Sequence, residues 1–253
     1  VTFSVSVAFR RSGCSQDSCA TLQREQWLPL ECVPFRGAQL QMGAVSGSLW
    51  QGQIKRLQWQ QVRLEQLDFE LQLLSLLRGR ISYELRSPSG GDSLVRGIFW
   101  LSPFAYGAEA ATLQLPAAVV SPFLRLPIPL AFDGLLRADI KQLASGESWC
   151  DELTAELNWE HAGVRSRMLP ERLALGPYRA QLTCDQGAVK AKLSDEGALG
   201  LGGDVRLGVD NSYKLALRAE PTPALPPTVR NGLDFIAKPD GNGYLIEAEG
   251  KLR

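Results

Sequence analysis

The segment LEQLDFELQL, residues 64–73, alternates apolar and polar side chains along most of its length. Leu67, Phe69 and Leu71 are each separated by one acidic residue. Successive side chains of a β-strand point to opposite faces of a sheet, so this spacing predicts a strand with one packed face and one solvated face. The segment therefore predicts β-structure.

The same two-residue period recurs along most of the chain. It is found at 57–59, 81–85, 136–140, 153–159, 178–184, 189–193, 199–209, 213–217 and 244–248. The connections between these runs are mostly too short for the crossover that parallel strands need. The sequence therefore predicts an all-β fold, a mainly antiparallel, elongated and curled sheet of consecutive hairpins with a few short helices.

Three segments interrupt the alternation and predict the short helices, at Leu73–Leu77, Pro116–Phe123 and Pro227–Ile236. Proline is favoured in the first turn of a helix, which supports the second and third. The dipeptide Asp133–Gly134 predicts a hairpin-type turn. The stretch GLGGD at 200–204 lacks the Gly-Lys-Ser/Thr of a phosphate loop, so it predicts a strand bent by glycine.

Composition and charge exclude several classes of protein. Hydrophobic residues make up 45% and charged residues 21% of the 253 residues, which is typical of a globular chain. The 27 basic residues balance the 27 acidic ones, so there is no electrostatic attraction to nucleic acid. No run approaches the roughly 20 apolar residues of a membrane-spanning helix.

The alternation divides the chain into two regions. Residues 1–44 show neither a helical nor a strand period and contain no recognisable membrane helix, so they predict an irregular segment. Residues 45–253 predict a single β-rich domain.

No set of residues predicts a catalytic, cofactor or metal site. His161 is the only histidine, and its polar surroundings indicate a solvated turn. Asp151 and Glu152 are neighbours that point to opposite faces of a strand, so they make a poor acid–base pair. None of the five cysteines forms a C-x-x-C motif. The sequence therefore predicts a protein that is not an enzyme.

Cys150 and Cys184 are candidates for a disulfide. Cys150 precedes the strand that ends at Trp159, and Cys184 ends the strand that begins near Tyr178. Two such strands can be neighbours, which would bring the sulfurs together and add about 3–4 kcal/mol of stability in the chain-entropy model. Two buried reduced thiols are the alternative, because free cysteine packs well in a core.

The stretch VSGSLWQGQIKRLQW, Val45–Trp59, predicts a hairpin with Gly52 at or near the bend. Glycine reaches the positive φ that tight turns often require. Trp59 and Trp159 share their strand phase with leucines, so we expect both in the core. Trp50 has no such phase and is a candidate partner contact.

This stretch also resembles the N component of the type II (general) secretion pathway. The resemblance rests on a Gly-x-Leu-Trp-x-Gly motif (Gly47, Leu49, Trp50 and Gly52), followed by a leucine-rich segment, a glycine and another strand. It continues through the segments that contain Cys150 and Cys184 to GNGYLIEAEGKL at the end of the chain.

The resemblance implies a non-catalytic accessory of a secretion machine. Its expected place is the periplasmic side of the inner membrane, with a membrane anchor that residues 1–40 do not show. Its expected partners are other inner-membrane and periplasmic components of the machine. No cofactor or nucleic acid is expected, and contact with lipid or a membrane is a further option. An oxidising periplasm would agree with the Cys150–Cys184 pairing. The alternative function is an envelope β-groove module that binds lipid or another apolar ligand.

Overall fold

The computed structural model describes residues 40–59, 62–123, 130–166, 172–194, 197–223, 237–241 and 243–251. Within these ranges the chain forms one sheet of fifteen strands. The strands are β1 (Leu40–Met42), β2 (Val45–Gly47), β3 (Gln51–Trp59), β4 (Val62–Leu71), β5 (Ile81–Arg86), β6 (Leu94–Leu101), β7 (Tyr106–Pro116), β8 (Leu130–Ser145), β9 (Glu152–Ser166), β10 (Leu173–Asp185), β11 (Ala188–Leu193), β12 (Leu201–Leu207), β13 (Ser212–Ala219), β14 (Lys238–Asp240) and β15 (Gly243–Lys251). The predicted all-β class is confirmed.

The sheet is an antiparallel meander in which each strand from β3 to β12 pairs with the next along the chain. At one edge β1 and β2 both pair with β3, one after the other, so the sheet begins N-terminal to Val45. At the other edge β15 lies between β13 and β14. The sheet is not closed. None of the helices in the described ranges is long and apolar enough to span a bilayer.

One face of the sheet is apolar across most of its width. Directly paired residues of antiparallel strands point to the same side, and on this face the paired residues are apolar. One row of paired positions runs through Ala111, Ile140, Ala155, Leu182, Ala191, Val205, Leu215 and Ala248. A second row runs through Leu71, Tyr83, Phe99, Ala108, Leu143 and Leu153. These rows define the apolar face.

The opposite, polar face carries a row of charged and amide side chains. It runs through Gln53, Asp68, Arg86, Arg96, Thr112, Asp139, Glu156, Gln181, Lys192 and Asp204. Within it Thr112 Oγ1 donates to Asp139 Oδ1 at 2.8 Å, and Arg137 Nε donates to Asp139 Oδ2 at 3.0 Å. The hydrogen bond from Arg137 lowers the pKa of Asp139. Such exposed pairs contribute little stability each, so the apolar face must supply most of it.

Three clusters of buried residues lie on the apolar face. One joins Val62 and Leu64 to Val119 of the 3-10 helix Ala117–Phe123. The second surrounds Tyr178 at one end of β8–β10, and the third surrounds Cys150 at the other end. Elsewhere the apolar face is mostly half-buried, and no second sheet covers it within the described ranges.

Two of the three predicted helices lie in the described part of the chain, and both are confirmed. The first is α1 (Leu73–Leu76), and the second is the 3-10 helix that follows Pro116. The third, Pro227–Ile236, lies outside the described residues. The bent strand predicted at 200–204 is also confirmed, since β12 starts at Leu201 and Gly203 has a φ of +135°.

Two turn predictions were wrong, and both positions are bulges. Asp133–Gly134 lies inside β8, where the register with β9 shifts between Asp133 and Leu135. His161 lies inside β9 with a φ of +52°, opposite Gly134 with a φ of +100°. A bulge inserts one residue at positive φ and lets the strand continue, so its sequence resembles that of a turn.

Candidate interaction surfaces

The motif residues Gly47 and Gly52 face each other in the hairpin formed by β2 and β3. The two glycines are directly paired, and the bend is the turn between them. Ser48 N donates to Gln51 O at 2.8 Å, and Trp50 N donates to Ser48 Oγ at 3.2 Å. The predicted hairpin with Gly52 near its bend is confirmed.

The two glycines have different roles from the one predicted. Gly47, with a φ of +117°, supplies the positive φ that we expected at Gly52. A Cβ on Gly47 would lie 2.4 Å from the Cα of Gly52. A Cβ on Gly52 would lie 2.6 Å from Cζ of Phe69 on β4. Gly52 is therefore needed for the close packing of the Phe69 ring.

We expect Gly47→Ala to destabilise the fold by about 1–3 kcal/mol, because alanine would have to adopt a strained φ and would contact the paired strand. Gly91→Ala is the matched control, since a Cβ there meets nothing closer than 3.8 Å. Urea unfolding of both variants measures the difference. Equal midpoints would contradict the role assigned to Gly47.

The turn is fixed to the sheet through its backbone while its side chains stay exposed. Tyr83 Oη donates to Leu49 O at 3.2 Å, and Leu71 N donates to Trp50 O at 2.7 Å. The side chains of Leu49 and Trp50 remain 77% and 58% exposed. The role of Trp50 as a partner contact stays a prediction. The side chain of Trp59 lies outside the described part of the structure.

A larger set of exposed apolar residues surrounds this turn. Twelve large hydrophobic residues are exposed in the described part of the chain, and ten of them lie at one end of strands β2–β7. We call these ten the apolar rim: Leu49, Trp50, Leu73, Leu74, Leu76, Leu77, Ile81, Leu101, Phe104 and Tyr106. The sequence analysis did not identify this set. The signal for it is the run LLSLL at 73–77, whose four leucines stand in a connection and not in a strand.

The same end of the neighbouring strands β8–β11 is closed by a disulfide. Cys150 and Cys184 are bonded, as predicted, with their Cα atoms 5.6 Å apart. Cys150 is only 2% exposed and packs with Leu153 and Ala155. At this end of the sheet, β8–β11 therefore carry a buried cluster, whereas β2–β7 carry the exposed side chains of the apolar rim.

The polar residues that the sequence analysis considered for catalysis do not form one site in the structure. Asp151 accepts hydrogen bonds from the backbone and hydroxyl of Ser148, which lower its pKa. Glu152 accepts from Gln142 Nε2 at 2.8 Å. His161 is exposed. In the described ranges no three His, Cys, Asp or Glu side chains are grouped to hold a metal ion.

A depression of about 560 Å³ lies mainly on the polar face, across β10–β15. The charged groups that line it neutralise one another: Lys190 and Asp204 are 3.5 Å apart, and Lys214 and Glu249 are 3.4 Å apart. It contains no nucleophile beside a base. The lining of the depression therefore consists largely of charged groups held in ion pairs.

Comparison with known proteins places the chain in a family. A family model described as type II secretion system (T2SS), protein N, matches residues 38–246. A type II secretion system protein N from Aeromonas hydrophila is 34% identical over 224 residues, which are 87% of this chain and 88% of the relative. One from Vibrio cholerae serotype O1 is 30% identical over 217 residues, 84% of this chain and 85% of the relative. No solved structure matches the chain. The matched region contains the Gly47–Gly52 hairpin and both bonded cysteines, and the chain belongs to the type II secretion system protein N family.

Proposed function

We propose that the protein is a non-catalytic accessory of the type II secretion machine that supports export of folded proteins across the outer membrane. The β-rich domain, predicted over residues 45–253 and beginning with β1 at Leu40, acts as one periplasmic domain at the inner membrane. Family membership over most of the chain supports the assignment to the machine and, with it, a location in the cell envelope.

The observation that supports a role in binding partners is the exposure of large apolar side chains on the sheet. The apolar face and the turn with Leu49 and Trp50 leave large side chains partly or fully exposed, which in a folded protein is typical of interaction sites. The best candidate among the predicted residues is Trp50, because its backbone is fixed to β4 while its indole projects into solvent. Aromatic residues held in this way are common anchors of protein interfaces. The partners are other inner-membrane and periplasmic components of the machine.

Complementation of a deletion strain tests this function. We expect the wild-type chain and the control Val209→Ala, which changes another exposed hydrophobic residue, to restore secretion of a folded enzyme. Trp50→Ala should keep its stability within about 0.5 kcal/mol, because the side chain is mostly exposed. It should nevertheless recover less of the other secretion components in a pull-down. Full secretion by the deletion strain together with an empty pull-down would contradict the proposal.

A second function is favoured by the apolar face itself. In β12, β13 and β15 the apolar row consists of aliphatic side chains that are half-buried or exposed, such as Val205, Leu215 and Ala248. An acyl chain could lie along such a row. Phospholipid extracted in a fixed ratio from the purified protein, with secretion intact in the deletion strain, would favour this lipid-binding module over the secretion accessory.

A further inference from the structure

The ten residues of the apolar rim form one continuous edge because their strands are in register. Leu71 N donates to Trp50 O, and Leu71 is paired with Tyr83 on β5. Ile81 is paired with Leu101, which is paired with Tyr106. Four spacings of about 4.8 Å separate β3 from β7, so the rim extends over roughly 19 Å.

The rim is a set of protruding side chains and not a groove. Leu74, Leu77 and Phe104 are 80%, 86% and 89% exposed, and they come from two separate connections. The helix α1 has no buried residue. A protein partner requires a surface of matching shape, whereas a bilayer accepts protruding apolar side chains of any arrangement. This geometry favours lipid.

The charge of the rim favours anionic lipid. The three connections, residues 48–50, 72–80 and 102–105, contain two arginines and no acidic residue. Arg80 is held on the sheet, 3.1 Å from Glu109 and 5.2 Å above the ring of Trp100. Arg78 is exposed beside the leucines. Tryptophan and tyrosine next to arginine are typical of side chains at a membrane–water interface.

The loop between β8 and β9, next to the rim, carries acidic residues and therefore sets the boundary of the lipid-binding surface. The loop between β8 and β9 approaches Ala105, since a Cβ on Gly146 would lie 3.6 Å from the Cβ of Ala105. That loop carries Glu147 and Asp151. An anionic surface would repel these residues, so the contact ends at β7.

We propose that the part of the apolar rim between Leu73 and Tyr106 docks the protein on the surface of a bilayer that contains anionic lipid, while Trp50, at the β3 end of the rim, remains the contact proposed for a protein partner. Leu74, Leu77 and Phe104 enter the boundary between headgroups and acyl chains, and Arg78 contacts lipid phosphates. The inference does not rest on the proposed function. Leu40 is paired with Trp59, so β1 lies at the opposite end of β3 from the rim.

Flotation with lipid vesicles tests the proposal. The full chain is mixed with vesicles of phosphatidylethanolamine and phosphatidylglycerol, and separately with vesicles of phosphatidylcholine alone. We expect binding to the first kind and weaker binding to the second. The triple variant Leu74→Gln/Leu77→Gln/Phe104→Gln should lower the partition coefficient by about tenfold or more, because it removes three inserted side chains. Arg78→Gln should weaken only binding to the anionic vesicles.

Val209→Gln is the matched control, since Val209 is 72% exposed but lies in the connection between β12 and β13, outside the rim. It should bind as the wild type does, and all variants should keep the wild-type melting temperature. Equal binding by the triple variant, or no vesicle binding by the wild type, would overturn the proposal. Loss of secretion components from the triple variant with unchanged vesicle binding would also overturn it and would identify the rim as a protein interface.

Discussion

Cys150→Ala/Cys184→Ala is expected to lower the free energy of unfolding by about 3–4 kcal/mol. The disulfide links residues 34 apart in sequence, so its removal lets the unfolded chain sample many more conformations. Alanine keeps the site apolar, which matters because Cys150 is 2% exposed and packs against Leu153 and Ala155. Urea unfolding under oxidising conditions measures the loss.

A reductant provides the control for this prediction. The wild-type protein unfolded in dithiothreitol should lose a similar amount of stability, whereas the double variant should not change. Ser148→Ala tests the neighbouring loop and leaves the disulfide in place, because it removes only a hydroxyl whose single proton has Asp151 Oδ1 and Cys150 O as alternative acceptors. A double variant as stable as the wild type would show that the disulfide does not constrain the fold.

The order of the strands could be predicted from the sequence because almost all pairing is between neighbours in the chain. Alternation such as Leu153, Ala155 and Leu157 specifies which side chains share a face, and short turns specify antiparallel neighbours. The structure pairs Ala155 with Leu182 and Leu157 with Ala180, as two adjacent alternating strands require. The Cys150–Cys184 disulfide could be predicted for the same reason, because its two cysteines lie at the same end of these two neighbouring strands.

Bulges could not be distinguished from turns. Asp133–Gly134 has the composition of a hairpin turn, but Gly134 packs against the backbone of Glu160 and His161 on a strand that continues past it. The difference depends on whether the partner strand also bulges. His161 has that complementary positive φ, and nothing in its local sequence predicts it.

The covering of the apolar face could not be predicted either. A two-residue period shows that one side of a strand is apolar, but it is the same whether a second layer packs there or not. Leu74 and Leu77 were assigned to a helical turn by their spacing, yet no described element packs over them and they remain more than three-quarters exposed. The candidate interaction surfaces are therefore the part of the molecule that local sequence describes least.

Tyr178 is the centre of the most aromatic of the three clusters on the apolar face. It is 7% exposed, and its ring centroid lies 5.9 Å from that of Trp159, which lies 5.8 Å from that of Phe132. The backbone of Gly197 closes over the ring, since a Cβ there would lie 2.7 Å from Cζ of Tyr178. Burial raises the pKa of the phenol, while a hydrogen bond from Leu199 N at 3.4 Å partly opposes the shift.

Tyr178→Ala is therefore expected to destabilise the fold by about 3–5 kcal/mol, because it removes a buried ring and leaves a cavity between Trp159 and the loop at Gly197. Tyr178→Phe keeps the ring and loses only a long hydrogen bond, so its cost should be about 1 kcal/mol or less. Phe104→Ala removes an aromatic ring that is 89% exposed and should change stability by no more than about 0.5 kcal/mol. Urea unfolding of the three variants ranks the effects. If Tyr178→Ala and Phe104→Ala were equally stable, the sheet would have to derive its stability from somewhere other than the ring cluster on its apolar face.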